Sequence, residues 1–239
     1  MTAAPHFEAA ILTTAYLPPV EYFFAIAHSG RVVVEQHEHY QKQSWRSRCR
    51  ILSAGGPEDL SIPVVKEARR SRPIRDIRID YSEPWLQHHV RALAGAYASS
   101  AYYDYYADDL LPILESKPAF LFDLNMALLE KILDLLDIDT PISLTERFIA
   151  PLRADFPSCS QKNAPSTENQ SLSSLCFDGR SRIQPKYKGE SLLAEYGREQ
   201  AYYQVFVNRD PSDRASFIPN LSVIDLLSAE GPDAGRYLL

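Results

Sequence analysis

Residues 8–35, EAAILTTAYLPPVEYFFAIAHSGRVVVE, restrict the fold more than any other stretch of the chain. The run EAAILTTA is apolar and bounded by Tyr16-Leu17-Pro18-Pro19, as expected of a buried strand that ends in a turn. Pro19 suits the first turn of a helix, and Val20, Phe23, Phe24 and Ala27 follow at helical spacing. Ser29-Gly30 stops that helix, and residues 31–35 (RVVVE) read as a second, β-branched strand. Strand, helix and strand within about 30 residues make a βαβ unit, because parallel strands need a crossover between them. An α/β fold follows.

Residues 59–64 (DLSIPV) and 74–80 (IRDIRID) add two expected strands, with a tight turn at Gly55-Gly56-Pro57. Helices take over from Pro84, where Leu86, Val90, Leu93 and Tyr97 recur at helical spacing. Residues 102–114 read as another helix, and 120–137 (FLFDLNMALLEKILDLLD) as a buried one. Serine, proline and amides then dominate residues 153–174, and a loop or linker is expected over 153–180. Beyond it, residues 202–208 (YYQVFVN) read as a strand. Ser222 with Asp225 resembles a capping box that opens a short helix ending near Gly231-Pro232. The whole, residues 1–239, is read as one domain: a mixed, mostly N-terminal sheet covered by the helices of residues 84–137, with the C-terminal segment docked back onto it. At 239 residues and 45% hydrophobic, the chain buries a sizeable core.

A net charge of -6 argues against a general nucleic-acid binder, since phosphate neutralisation dominates such affinity. The first residues lack a charged n-region, and no apolar run approaches the roughly 20 residues of a membrane span. Three widely spaced cysteines suggest neither a disulfide framework nor a zinc knuckle. A soluble cytoplasmic protein of undetermined oligomeric state is expected. The chain has no Walker loop, G-x-G-x-x-G, G-x-S-x-G or H-E-x-x-H motif.

The basic cluster YQKQSWRSRCRI (residues 40–51) carries the clearest chemical signal. In an extended chain Arg46, Arg48 and Arg50 share one face, and guanidinium forks suit phosphate or carboxylate. The alternative is a solvated strand face balanced by acidic residues. His37 and His39 flank Glu38 just upstream; two imidazoles do not make a metal site, a general base is a better expectation than a metal ligand, and the plain alternative is a hydrogen-bonded surface or loop histidine. His89 lies one helical turn after Trp85, which allows either a core histidine or a pocketed base. Tyr102, Tyr103, Tyr105 and Tyr106 either stack on a ring ligand or pack at a helix junction.

Several collinear stretches together resemble the WbqC-like family: AYLPPVEYFFAI, HEHYQKQSWRSRCRILSAGG, LSIPV, IRDIRIDYSEPWLQHHVRALAGAY, YYDYYADDLLPIL, FLFDLNMALL, YYQVF and FIPNLSVIDLLSAEGPDAG. The resemblance spans nearly the whole chain except residues 153–180. It implies a bacterial protein of cell-surface polysaccharide (O-antigen-type) biosynthesis. The implied activity is a transferase that passes a glycyl or other amino-acyl group to a nucleotide-linked amino sugar. It implies a phosphate-bearing small-molecule substrate and specifies no cofactor or metal. The residues that it marks are Glu38, Tyr40, Lys42, Gln43, Arg46, Arg48, Trp85, His89, Asn220 and Asp225. The family pattern K-Q-[ST]-x-R-N-R meets Ser47 here where Asn is usual. In that chemistry His89 or His37 would accept the proton of the attacking amine. Rival readings are a nucleotidyl-transfer-like enzyme and a non-catalytic nucleotide-sugar or protein-binding module.

Overall fold

The computed structural model describes residues 5–65, 72–151, 176–207 and 217–239. Most of the expected loop at 153–180 lies outside these residues. Strand β1 (Ala9–Thr13) is buried along its whole length and forms the spine of a four-stranded sheet. Helix α1 (Val20–Ala27) crosses over to β2 (Val32–Glu35), which pairs in parallel with β1 from Ala10↔Val32 to Thr13↔Glu35. The βαβ unit read from residues 8–35 is present.

Two short strands from the other half of the chain complete the sheet. Strand β5 (Ile142–Leu144) joins β2, and β6 (Cys176–Asp178) joins the far side of β1, both in parallel. The order is β5-β2-β1-β6. The expected loop thus ends before residue 180, because its last residues form a strand. Gly179 closes that strand by donating its backbone N–H to the Ile11 carbonyl. A Cβ there would stand 2.5 Å from Leu12 Cδ2 and 2.9 Å from a Phe177 ring carbon, so a larger residue would have to push those side chains aside.

The antiparallel pairing lies in a separate hairpin, β3 (Arg48–Ser53) with β4 (Gly56–Ser61). Residues 74–80 do not form the expected strand. Ile74–Asp76 is a 3-10 turn, and its period of three buries Ile74 and Ile77 together. Residues 202–207 are likewise no strand. Tyr202 and Gln204 are buried and alternate with exposed Tyr203, but no strand of the described residues pairs with them.

Helices α2 (Trp85–Tyr97), α3 (Tyr103–Glu115) and α4 (Leu121–Leu135) follow in series, as the spacing predicts. Helix α2 packs on β3, α3 on α4, and α4 on the 3-10 turns at Trp45–Ser47 and Ile74–Asp76. A short α5 (Leu192–Glu195) packs on α1, and α6 (Val223–Glu230) packs on α1, α3 and β3. The C-terminal segment does dock back. The Val20 N–H donates to Leu221 O, Ser222 N–H to Arg50 O, Val223 N–H to Pro18 O, and Ser222 Oγ to Leu17 O. It ties the start of α1 to the hairpin.

No helix among the described residues is long and apolar enough to cross a membrane.

Candidate functional site

All four strands of the main sheet run the same way, so their carboxyl ends share one edge. From β1 the chain crosses to β2 on one side, while β6 lies on the other. Ligand crevices in open parallel sheets form at such a switch point. Thr13 and Thr14 end β1 there, Glu35 to Glu38 leave β2, Thr145 follows β5, and Asp178 to Arg180 end β6.

These residues form a buried ionic network. Glu35 is fully buried and accepts from His37 N (2.7 Å), Thr145 Oγ1 (2.9 Å) and Ile149 N (2.8 Å). The Arg180 guanidinium stands 3.7 Å from it. Arg180 also donates to Asp178 through Nε (2.8 Å) and Nη2 (2.6 Å), and to the carbonyls of Ile149 and Ala150. Beside this group, Arg46 grips Glu38 bidentately through Nε (2.8 Å) and Nη2 (2.5 Å), with both side chains buried. Burial pushes the Glu38 carboxyl up, and the Arg46 hydrogen bonds oppose that rise. Ion pairs of this kind add little net stability, but breaking one leaves a buried charge without a partner. They fix geometry.

His37 is held at the edge of this network. Its backbone N–H donates to Glu35, and its Nε2 lies 3.0 Å from the Thr145 carbonyl oxygen. A carbonyl only accepts, so Nε2 is the donor here, and in the neutral imidazole that leaves Nδ1 as the acceptor. The imidazole is half-buried, reachable from solvent yet fixed in tautomer and direction. An imidazole held in this way has the geometry to take up a proton.

Two lysines lie on segments that leave the same edge, one after β2 and one after β6. Lys42 is exposed; Gln43, next to it, adopts a left-handed φ of 55° and accepts from Lys186 Nζ at 2.5 Å. This contact joins the segment after β6 to the loop after β2. Tyr40 Oη lies 2.9 Å from Ser47 Oγ, so the serine at the family's usual asparagine position is engaged by that phenol.

The expected arginine face is divided. Trp45–Ser47 is a 3-10 turn, which directs Arg46 inward to Glu38, where the Asn125 amide also holds the Arg46 carbonyl. Arg48 and Arg50 do share a face of β3, and both bond to Asp59 on β4, at 3.1 and 2.7 Å. For these two the solvated, carboxylate-balanced strand face is what the geometry supports.

His89 sits elsewhere, buried on α2 with Nδ1 at 2.9 Å from Tyr16 Oη and Trp85 edge-on at 4.9 Å. A backbone bond to Ser61 engages the imidazole further, and burial lowers its pKa to about 4. It is a satisfied core histidine, and Trp85 is its packing partner. Asn220, also at a left-handed φ of 55°, accepts from the Glu21 backbone N–H with Oδ1 and bonds the Glu21 carboxylate. Asp225 does not close the expected capping box. Ser222 Oγ caps Ile224 N, while Asp225 turns inward to accept from Tyr202 Oη (2.7 Å), Gln204 Nε2 (3.0 Å) and Tyr97.

The N-terminus of α1, where a nucleotide fold would seat its phosphates, is already occupied. Its Val20 and Glu21 N–H groups donate to Leu221 O and Asn220 Oδ1. Among the described residues no group of three or more His, Cys, Asp or Glu is placed to hold a metal ion.

Glu35, Thr145, Asp178, Arg180 and Lys186 were not picked out by sequence reasoning. The signal that could have found Glu35 was its place as the one charge ending a β-branched run. Nothing local marks the others, because they reach the site through distant pairings.

The chain is 29% identical over 235 residues to the uncharacterised protein Rv1507c of Mycobacterium tuberculosis; the match covers 96% of this chain and 98% of that protein. No solved structure matches it significantly. The model of the WbqC-like protein family matches residues 14–237, and the chain belongs to that family.

Proposed function

We propose that the carboxyl edge of the four-stranded sheet is the active site of a transferase of cell-surface polysaccharide biosynthesis. Its reaction passes an amino-acyl group to the amine of a nucleotide-linked amino sugar. The observation that carries this reading is His37, whose ring Nε2 is held by the Thr145 carbonyl oxygen at the carboxyl edge, on the segment that runs on to Lys42 and to the Gln43 bonded by Lys186. The amine nitrogen attacks the acyl carbon of the activated donor, and its proton passes to His37 Nδ1. The donor's leaving group departs with the bonding electrons. The two lysines balance the phosphate charge of the acceptor.

The buried network supports the chemistry without taking part in it. Glu35 and Thr145 orient His37 from both its backbone and its ring, and Arg46 with Glu38 holds the loop that carries Lys42 and Gln43. The nucleotidyl-transfer reading is weaker, because the α1 amides that would cradle phosphates are already bonded.

The test is product mass after incubation with a nucleotide-linked amino sugar and an activated glycyl donor. The expected product gains one glycyl residue. His37→Gln is expected to lower the rate by about 100-fold or more while leaving the circular dichroism spectrum unchanged. Pyrophosphate release without acylation would replace this reading with nucleotidyl transfer. A folded His37→Gln protein of full activity would remove His37 from the mechanism.

A further inference from the structure

Residues 145–150 leave β5 with no helix or strand of their own, and Glu146, Arg147 and Phe148 among them are exposed. Such a segment keeps one path only where its backbone groups find fixed partners. Glu35, at the end of β2, is one partner. It accepts from Thr145 Oγ1 and, through its second oxygen, from the Ile149 N–H at 2.8 Å. Arg180, just after β6, is the other. Its Nη1 donates to the Ile149 carbonyl at 2.5 Å, and its Nη2 to the Ala150 carbonyl at 3.2 Å. Nη1 also stands 3.7 Å from the Glu35 carboxylate. The guanidinium is buried and fixed from its own side, because Asp178 accepts from Nε, from Nη2 and from the Arg180 backbone N–H.

We propose that Arg180 is a positioning residue for His37, acting through the segment 145–150 that it straps to the sheet edge. That role rests on the reading of His37 as the base of the transferase. His37 Nε2 bonds a backbone carbonyl, that of Thr145, so the direction of the ring follows the main chain and not a side chain. The near end of the segment is paired, since the Thr145 N–H donates to Val34 O. The Thr145 carbonyl, however, belongs to the peptide that leads on to Glu146, and its direction follows the path of the chain beyond. The Arg180 fork holds the far end of that path. A planar guanidinium presents its donors in several directions at once, toward both carbonyls and both carboxylates. A lysine ammonium keeps the positive charge that Glu35 faces but cannot span these acceptors.

Nitrogen-15 NMR of the histidine side chains, on the full chain and without substrate, tests this role. In the wild-type protein His37 is expected as a single Nε2–H tautomer whose ring proton exchanges slowly with water. In Arg180→Lys the tautomer ratio is expected to fall, and ring-proton exchange to quicken, by at least about 3-fold each, the scale of one lost hydrogen bond. His89, bonded to Tyr16 from α2, is expected to keep its signal in the same spectrum and so reports an intact fold. Where Arg180→Lys loses the His89 signal, Asp178→Asn takes its place with the same expectation, since it loosens the guanidinium from the β6 side. Two tautomers in the wild type, or an unchanged His37 in a variant that keeps the His89 signal, would overturn the role of Arg180. Loss of the His89 signal in both variants would overturn it likewise, by making the network a requirement of folding. None of these results bears on the transfer reaction, which product mass decides. Absence of glycyl transfer would in turn leave the strap standing.

Discussion

Asp225 and His89 are both buried titratable side chains, and their environments push them in opposite senses. Desolvation raises the Asp225 carboxyl from 3.8 to about 6 against the hydrogen bonds of Tyr202, Gln204 and Tyr97. Desolvation lowers the His89 imidazole to about 4. For Asp225 the folded value lies above the unfolded one. Its contribution is therefore fully present below the unfolded pKa and is lost as pH rises through about 6. For His89 the folded value lies below the unfolded one, so its contribution is present above the unfolded pKa and is lost as pH falls through about 4. The two offset each other across the acidic range. Asp225→Asn removes one side of that balance. The destabilisation it causes is expected to be greater near pH 4 than at pH 7, by a difference approaching about 3 kcal/mol. Urea midpoints of both proteins at the two pH values measure it, and equal destabilisation at both would contradict the assignment. Burial decides these roles, and burial is what a local sequence pattern reports least well. Asp225 reads as a capping residue from Ser222 alone. Only the fold shows that Tyr202 and Gln204 arrive to receive it.

At the scale of elements, arginines of one sequence cluster do different things. Arg48 and Arg50 share Asp59 on a half-exposed hairpin face, where ion pairs contribute little. Arg180, from outside the cluster, lies buried between Glu35 and Asp178 and joins β2, β6 and the carbonyls after β5. Arg48→Ala is therefore expected to shift stability by less than about 1 kcal/mol. Arg180→Ala takes the guanidinium away from the fully buried Glu35 carboxylate and is expected to cost about 3–5 kcal/mol. Urea denaturation at neutral pH compares them, and similar losses in both would refute the distinction. Alternation placed Arg48 and Arg50 on one face correctly. It failed for Arg46 because the chain enters the hairpin through a 3-10 turn that no residue of SWRS announces. The βαβ unit and the three central helices were legible, since each repeats its apolar period over a full element; the hairpin was legible only in part, because β4 (Gly56–Ser61) buries a single apolar side chain and the expected strand 59–64 meets it over three residues. Strand β6 was not. Its three residues follow a serine-rich tract, and what makes them a strand is the free edge of β1, far away in sequence. Arg180 and Asp178 were hidden with it.

For the molecule as a whole, the sheet and its closing segment are built from opposite ends of the chain. Strands β1 and β2 come from the first 35 residues, whereas β5 and β6 arrive only after the helices. The last segment then clamps the start of α1 to the hairpin through Leu221, Ser222 and Val223. Such long-range pairing makes the N-terminal half dependent on the C-terminal one, and closes the site edge only when both are present. Val223, Ile224, Leu226 and Leu227 are all buried on α6. At about 1.5–3 kcal/mol for each such side chain, their removal takes away roughly 6–12 kcal/mol of burial. That matches the whole stability of an ordinary domain, about 5–15 kcal/mol. A chain ending at residue 216 also exposes the α1 amides and removes the Asp225 partner of Tyr97 and Tyr202. It is expected to show no cooperative urea transition and no near-ultraviolet circular dichroism, although the βαβ sequence is intact. A sharp transition in the truncated protein would show that the first 216 residues fold without their clamp. The C-terminal segment would then be an addition to the core and not a part of it.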